Sequence, residues 1–328
     1  MVAQDGLGPA AVETEATAQD RSQCKEIPHE ISRLTTDEFH NDGHLVIGLS
    51  RRPVTRGHAL AVVQSGSDLF SLPPEEFVRV LNKVSKAASV LGEHYKVKRC
   101  ALVTEGGSSL AVLPLHGLAD KWEPVLSSMP EFHEFFPGYL SSKNGPRMAD
   151  DRLDDICARI QAVSTISRPF NHRFDGDPGD SNLFARIVRG ELQQWRIWED
   201  DHHVAFLTPF ANTPGFTVLV PRKHLSSNIF SIDKEPFSRL MLAAHRVAAC
   251  LRETFGTRRC GMMFEGYEID YAHVKLAPIH DGATAGDPVM TVAPFHETYQ
   301  GYVTSLSGPL MDIECSASIA DLRRLYPP

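Results

Sequence analysis

The chain contains no run of 18 apolar residues, no block of Lys and Arg longer than two, no Cys-x-x-Cys pair and no GxxxxGK loop. Each absence removes a class of function. Without the apolar run there is no membrane-spanning helix to expect. Lys and Arg number 33 against 41 Asp and Glu, a net charge of −8, so an extended nucleic-acid or anionic-membrane footprint is not expected, although a local site can be positive within an acidic protein. The six cysteines, Cys24, Cys100, Cys157, Cys250, Cys260 and Cys315, are scattered. They read as buried free thiols in a reducing compartment, cytoplasmic or nuclear. The missing GxxxxGK motif excludes a P-loop.

Fifteen histidines do not form a metal motif. Adjacent His202 and His203 would face opposite sides of a strand, and "DGDPGD" at 175–180 lacks the ligand spacing and closing Glu of a calcium loop. That acidic stretch reads as solvated linker, and neither a metal nor a cofactor is expected. Residues 1–22 carry four acids, one Arg and no apolar run, which fits neither a secretory signal nor an Arg-rich transit peptide. Residues 1–24 read as a disordered tail.

What the chain does have is length, apolar content and an internal repeat. With 328 residues, 42% of them apolar, it can build two cores. "LFSLPPEEF" at 69–77 mirrors "IFSIDKEPF" at 229–237, and "KRCALVTEG" at 98–106 mirrors "RRCGMMFEG" at 258–266, both at an offset of 160. "FHEFFPGYLSSKNGP" at 132–146 mirrors "FHETYQGYVTSLSGP" at 295–309, at an offset of 163. Matches in the same order at a nearly constant offset imply a tandem duplication. The expected division is a repeat over 25–165, a linker over 166–180 and a second repeat over 181–328.

Within each copy the same elements recur. Phe77, Leu81, Val84, Ala88 and Leu91 fall on one helical face, as do Phe237, Met241, Ala244, Ala248 and Leu251. Gly-led apolar runs precede these helices at 57–63 and 215–221, and "CALVTE" and "CGMMFE" follow them, all strand-like. The expected unit is α+β, an antiparallel meander with a helix on one face.

The segment "IDYAHVKLAPIH" at 269–280 places Tyr271, His273 and Lys275 at alternate positions, with Ala272, Val274 and Leu276 between them. In a strand this puts the reactive groups on one face and the apolar groups on the other. The first copy carries Gly107, Ser109 and Ala111 opposite the reactive residues, while Ser108, Leu110 and Val112 keep the other face small or apolar. A lone strand histidine is ordinarily solvated or hydrogen bonded. Here Lys275 lies two residues further along the same face, where an ammonium could hold an anion against the imidazole. "VPRKH" at 220–224 offers a second imidazole, His224. "SNLFARIVRGE" at 181–191 opens with Ser181 as a candidate helix cap, and Leu183, Phe184 and Ile187 form an apolar stripe suited to flooring a flat ligand or to ordinary core packing.

The stretch "SNLFARIVRGELQQWRIWEDDHHVAFLTPFANTPGFTVLVPRKH", followed by "YAHVKLAP", resembles the histidine triad (HIT) superfamily, clearly over 181–280 and weakly over 39–116. The Lys at the last triad position and the downstream "FHETYQGY" resemble a HAHxKL-like subgroup. The resemblance implies two tandem HIT-like domains forming an intramolecular pseudo-dimer with antiparallel sheets, because HIT proteins are typically homodimers. It implies His273 as the nucleophile toward the α-phosphorus of a small nucleotide, with Lys275, His224 and Tyr271 beside it. Leu183, Phe184, Ile187 and Phe206 would line the base slot, with Thr208 near the ribose.

The sequence departs from that pattern. Tyr271 and Lys275 stand at triad histidines, Thr208 at the ribose acid, and Phe264 at a phosphate-facing Asn. The leading expectation is a nucleotide hydrolase or nucleotidyltransferase acting on a nucleoside phosphoramidate or dinucleoside polyphosphate through a nucleotidyl-histidine, with the chain a monomer. The alternatives are a non-catalytic nucleotide-binding or regulatory protein and an interaction scaffold.

Overall fold

A computed structural model describes residues 34–282, 292–311 and 316–327. The tail expected over 1–24 lies outside them, as do Cys24 and Cys315. Ten strands form one sheet: β1 (Leu34–Asn41), β2 (Leu45–Ser50), β3 (Ala59–Val63), β4 (Cys100–Thr104), β5 (Ser109–Pro114), β6 (Trp195–Glu199), β7 (His203–Leu207), β8 (Thr217–Pro221), β9 (Cys260–Phe264) and β10 (Val274–Pro278). The helices are α1 (Pro74–Tyr95), α2 (Asp150–Ser164), α3 (Leu183–Val188), α4 (Lys234–Phe255) and α5 (Ser316–Leu325).

The sheet runs β1-β2-β3-β5-β4-β9-β10-β8-β7-β6, with every pairing antiparallel. The second half of that order is the first half reversed, element for element. The halves meet where β4 pairs with β9, Val103 opposite Met263.

α1 begins with Pro74, whose missing N–H costs nothing in a first turn, and places Glu75 and Glu76 at the positive end of the helix dipole. The apolar stripes on α1 and α4 are buried against the sheet as expected. Burying each large side chain contributes about 1.5–3 kcal/mol before conformational entropy is charged. α3 differs from its expectation: Asn182, not Ser181, caps it by accepting from the Phe184 N–H at 3.0 Å. Gly106 and Gly266 follow β4 and β9 with φ of +79° and +76°, and a Cβ on either would sit 2.2 Å from a carbonyl oxygen, that of Cys260 or Ser227. This close approach explains the "EG" after each strand.

Packing crosses the sequence boundaries. α2, from the N-terminal half of the chain, lies against β6 and α4, where the Trp195 indole donates to Asp154 Oδ1 at 2.8 Å. α5, from the C-terminal half, lies against β1 and α1. The long segments after β5 and β10 also exchange places. His133, Phe136 and Gly145 donate backbone N–H groups to the carbonyls of Asn212, His280 and Phe210, while His296, Tyr299 and Gly308 donate to those of Val54, His116 and Arg52. The two segments meet at a single antiparallel bridge, Ser141 with Thr304. The backbone bonds of both segments thus cross between the N- and C-terminal halves of the chain.

Candidate active site

β10 begins at Val274, so Tyr271 and His273 occupy the lead-in to the strand, which opens on a tight turn closed by the Tyr271 N–H to the Ile269 carbonyl at 2.8 Å. Alternation still holds. Ala272, Val274 and Leu276 enter the main core, whereas Tyr271 joins a smaller cluster on the other face with Phe184, Ile187 and Phe206.

His273 Nδ1 lies 2.7 Å from the Tyr271 carbonyl oxygen. A carbonyl only accepts, so Nδ1 carries the proton and, in the neutral ring, Nε2 keeps its lone pair. Burial, reinforced by the Lys275 ammonium, holds the imidazole below its ordinary pKa, so the ring is neutral at pH 7. Phe184 stands edge-on to it, ring centroids 5.2 Å apart. Nε2 is buried and, among the described residues, has no hydrogen-bond partner.

The expected cleft is not open. His273 is 2% exposed and Lys275 3%; Phe184 stands against the imidazole, and Val218, opposite Lys275 on β8, belongs to the apolar cluster on that face. Lys275 also differs from its expected part as a cation waiting for phosphate. Its Nζ lies 2.9 Å from Glu265 Oε1 and 3.0 Å from Glu268 Oε2, and it donates a longer bond to the Ser142 carbonyl at 3.4 Å. Burial alone would lower its pKa, but the two carboxylates outweigh that and raise it. Glu268, which also accepts from Asn144 Nδ2 at 3.0 Å, is held at about 2: burial pushes its pKa up, and the Lys275 charge and the Asn144 hydrogen bond more than offset this.

His224 follows β8. Its ring stacks on Tyr271 with centroids 4.6 Å apart, and Tyr271 donates its hydroxyl to the Pro221 carbonyl at 2.7 Å. His224 Nδ1 is 2.7 Å from Asp180 Oδ2, and Nε2 is 2.7 Å from the Asp270 carbonyl oxygen. The end of the "DGDPGD" stretch is therefore not free solvated linker. Asp180 holds His224 and accepts from the Asn182 N–H at 2.8 Å.

The expected slot residues gather, but fill one another's space: Phe184 and Phe206 are 5.7 Å apart and both buried. Leu183 is 43% exposed and stands outside the cluster. Thr208 is half-buried at the end of β7 and accepts from the Phe210 N–H at 3.2 Å. Phe264 is core. Sequence reasoning missed Asp180, Glu265, Glu268 and Asn144. Only Glu265 carried a signal, the "EG" shared with Glu105; the others come from loops or from the opposite half of the chain. Among the described residues no group of three His, Cys, Asp or Glu is placed to hold a metal ion, and no helix is long and apolar enough to cross a membrane.

A neutral imidazole hydrogen bonded to its own backbone thus sits against a packed apolar cluster built from a helix and two strands. The HIT domain model matches residues 189–291. An uncharacterized 13.1 kDa HIT-like protein of Mesomycoplasma hyorhinis is 39% identical over 103 residues, covering 30% of this chain and 92% of that protein. An uncharacterized HIT-like protein of Mycoplasma genitalium is 28% identical over 126 residues, 37% of this chain and 78% of that one. The chain belongs to the HIT family. Among solved structures, an ADP-glucose phosphorylase from Arabidopsis thaliana aligns over 74% of each chain at 11% identity and a TM-score of 0.47.

Proposed function

We propose that the chain is a duplicated HIT unit folded as an intramolecular pseudo-dimer, and that its C-terminal repeat transfers a nucleotidyl group through His273. The division at 25–165, 166–180 and 181–328 belongs to this reading, with the exchanged segments as the seam. The observation that carries it is the His273 ring, neutral, with Nδ1–H tied to Tyr271 and Nε2 without a partner among the described residues. Nε2 attacks the α-phosphorus of a nucleoside phosphoramidate or dinucleoside polyphosphate. An N–P bond forms, the bond from phosphorus to the leaving group breaks, and the leaving group departs with that electron pair. Water or another acceptor then attacks the same phosphorus and releases His273.

Phe184, Ile187 and Phe206 part to admit the base, with Leu183 and Thr208 at the rim. Tyr271 and His224 fix the lead-in to β10, and Lys275 moves part of its charge from Glu268 to the incoming phosphate. Access requires the cover over Nε2 to shift, so closure is part of the cycle.

The pairing of Lys275 with two carboxylates favours a second reading, a nucleotide-binding protein that does not turn over. One experiment separates them: wild type and His273→Ala are incubated with adenosine 5′-phosphoramidate and with diadenosine tetraphosphate. Products from wild type alone support transfer, and binding without products supports the second reading.

A further inference from the structure

Met263 on β9 lies opposite Lys275 on β10. Continued two residues past the end of that ladder, the same register sets Glu265 opposite His273 on one face of the sheet, where directly opposed side chains of antiparallel strands stand about 5 Å apart at Cβ. The Lys275 ammonium, diagonal to Glu265, reaches its Oε1 at 2.9 Å, which fits that placement. So does the field at the imidazole: burial and the Lys275 charge lower its pKa, and the Glu268 and Glu265 carboxylates oppose them.

In the N-terminal half Val103 lies opposite Ala111, and the same step sets Glu105 opposite Ser109. The two glutamates are held differently. Glu105 uses both oxygens, Oε1 accepting from the Ser305 hydroxyl at 2.8 Å and Oε2 facing Arg259 Nη1 at 3.3 Å. Glu265 is 4% exposed, and its Oε2 is buried with no hydrogen-bond partner among the described residues. The other groups around the imidazole are not free to take a proton. Glu268 accepts from Asn144 at one oxygen and from Lys275 at the other. The Tyr299 hydroxyl is also buried and unpartnered among the described residues, but burial and the Glu265 and Glu268 charges push its pKa up, so it keeps its proton.

We propose that Glu265 is the general base of the second step, taking a proton from the water that resolves the nucleotidyl-histidine. This role rests on transfer through His273. The water oxygen bonds to phosphorus and one of its protons passes to Glu265 Oε2, while the P–Nε2 bond breaks and its electron pair returns to Nε2. The second proton stays on the new P–OH group, and Glu265 gives its proton to solvent when the site opens. Lys275 holds Oε1, so Oε2 is the oxygen presented to the water.

The test follows ammonia release from adenosine 5′-phosphoramidate by rapid quench, using the full chain as wild type, Glu265→Gln and Glu105→Gln. Ammonia leaves in the first step, so Glu265→Gln should release about one equivalent in a burst and then turn over about 10²-fold or more slower than wild type. Sodium azide supplies an anion with no proton to lose and should restore the steady rate of Glu265→Gln, a rescue that a structural defect would not allow. Glu105→Gln should match wild type in both phases. Turnover of Glu265→Gln close to that of wild type would overturn the proposal, as would loss of the burst together with turnover, or a slow phase that azide leaves unchanged. Absence of both phases in wild type would instead overturn transfer through His273, and this role with it.

Discussion

The two outer ends of the sheet lay down the same three strands and hold them with polar groups of different burial. At the N-terminal end, Gln64 Nε2 donates to Asn41 Oδ1 at 3.0 Å in an exposed pair, and Lys83 pairs with a part-exposed Asp42. At the C-terminal end, Arg196 and Arg222, 0% and 1% exposed in their side chains, both donate to Glu199 Oε2 at 2.7 and 2.9 Å, and both donate to the Asn171 carbonyl at 2.7 Å. The buried version anchors the connecting segment that leads to Asp180. A shared apolar frame fixes the fold in both halves, and the polar positions are where the halves differ. The halves differ at the centre too, where His273 and Lys275 stand at the positions that Ser109 and Ala111 hold in the N-terminal half.

The sharpest break of this comparison is catalytic. In the nucleotide assay, His273→Ala should lower turnover by 10³-fold or more, since the proposed step has no other nucleophile, while Ser109→Ala should leave it within about twofold. Comparable losses in both would mean that the halves share the chemistry.

The next effect is on stability. Glu199→Ala strands two buried guanidinium groups and should cost about 3–5 kcal/mol in urea unfolding. Asn41→Ala, its counterpart on the exposed side, should stay within about 0.5 kcal/mol. Equal costs would show that the buried network adds nothing beyond the frame.

A smaller effect crosses the seam. Asn144→Ala removes a bond to the ionised Glu268 and should destabilise by about 1.5–3 kcal/mol. In the assay it should raise KM more than it lowers kcat, because the carboxylate then competes differently for Lys275 and the nucleophile is untouched.

The last is pH dependence. Glu268 is depressed in the folded state to about 2 from 4.5, so its contribution is full above about pH 4.5 and is lost as pH falls toward 2. The stability difference between wild type and Glu268→Gln should shrink across that window. His273, also depressed, acts in the same direction from a higher starting point. The unfolded chain takes up its proton near 6.5 while the folded chain resists, so stability falls as pH drops below 6.5. His273→Gln should flatten that part of the curve.

Much of the frame was legible because apolar periodicity is local: the stripes on α1 and α4, and the strands that became β3, β4, β8 and β9, needed only their own residues. The alternation around His273 was legible for the same reason, although the ladder begins only at Val274. What was not legible depends on which segments come to lie together. Glu268 and Asn144 are 124 positions apart, and no spacing rule links them. Asp180 sat in a stretch whose Pro, Gly and Asp content resembles any solvated loop, and only the fold brings it to His224. The burial of Lys275 could not be read from alternation, which gives a face but not what covers it.

The most direct test of the central claim is capture of the intermediate. The full chain is mixed with adenosine 5′-phosphoramidate, quenched at alkaline pH, where a phosphorus–nitrogen bond to imidazole survives better than in acid, and digested for peptide mass spectrometry. The proposed mechanism requires an adenylyl group on the peptide containing His273, absent from His273→Ala. An adduct on a first-repeat peptide, or steady turnover with no adduct at His273 at any quench time, would contradict it.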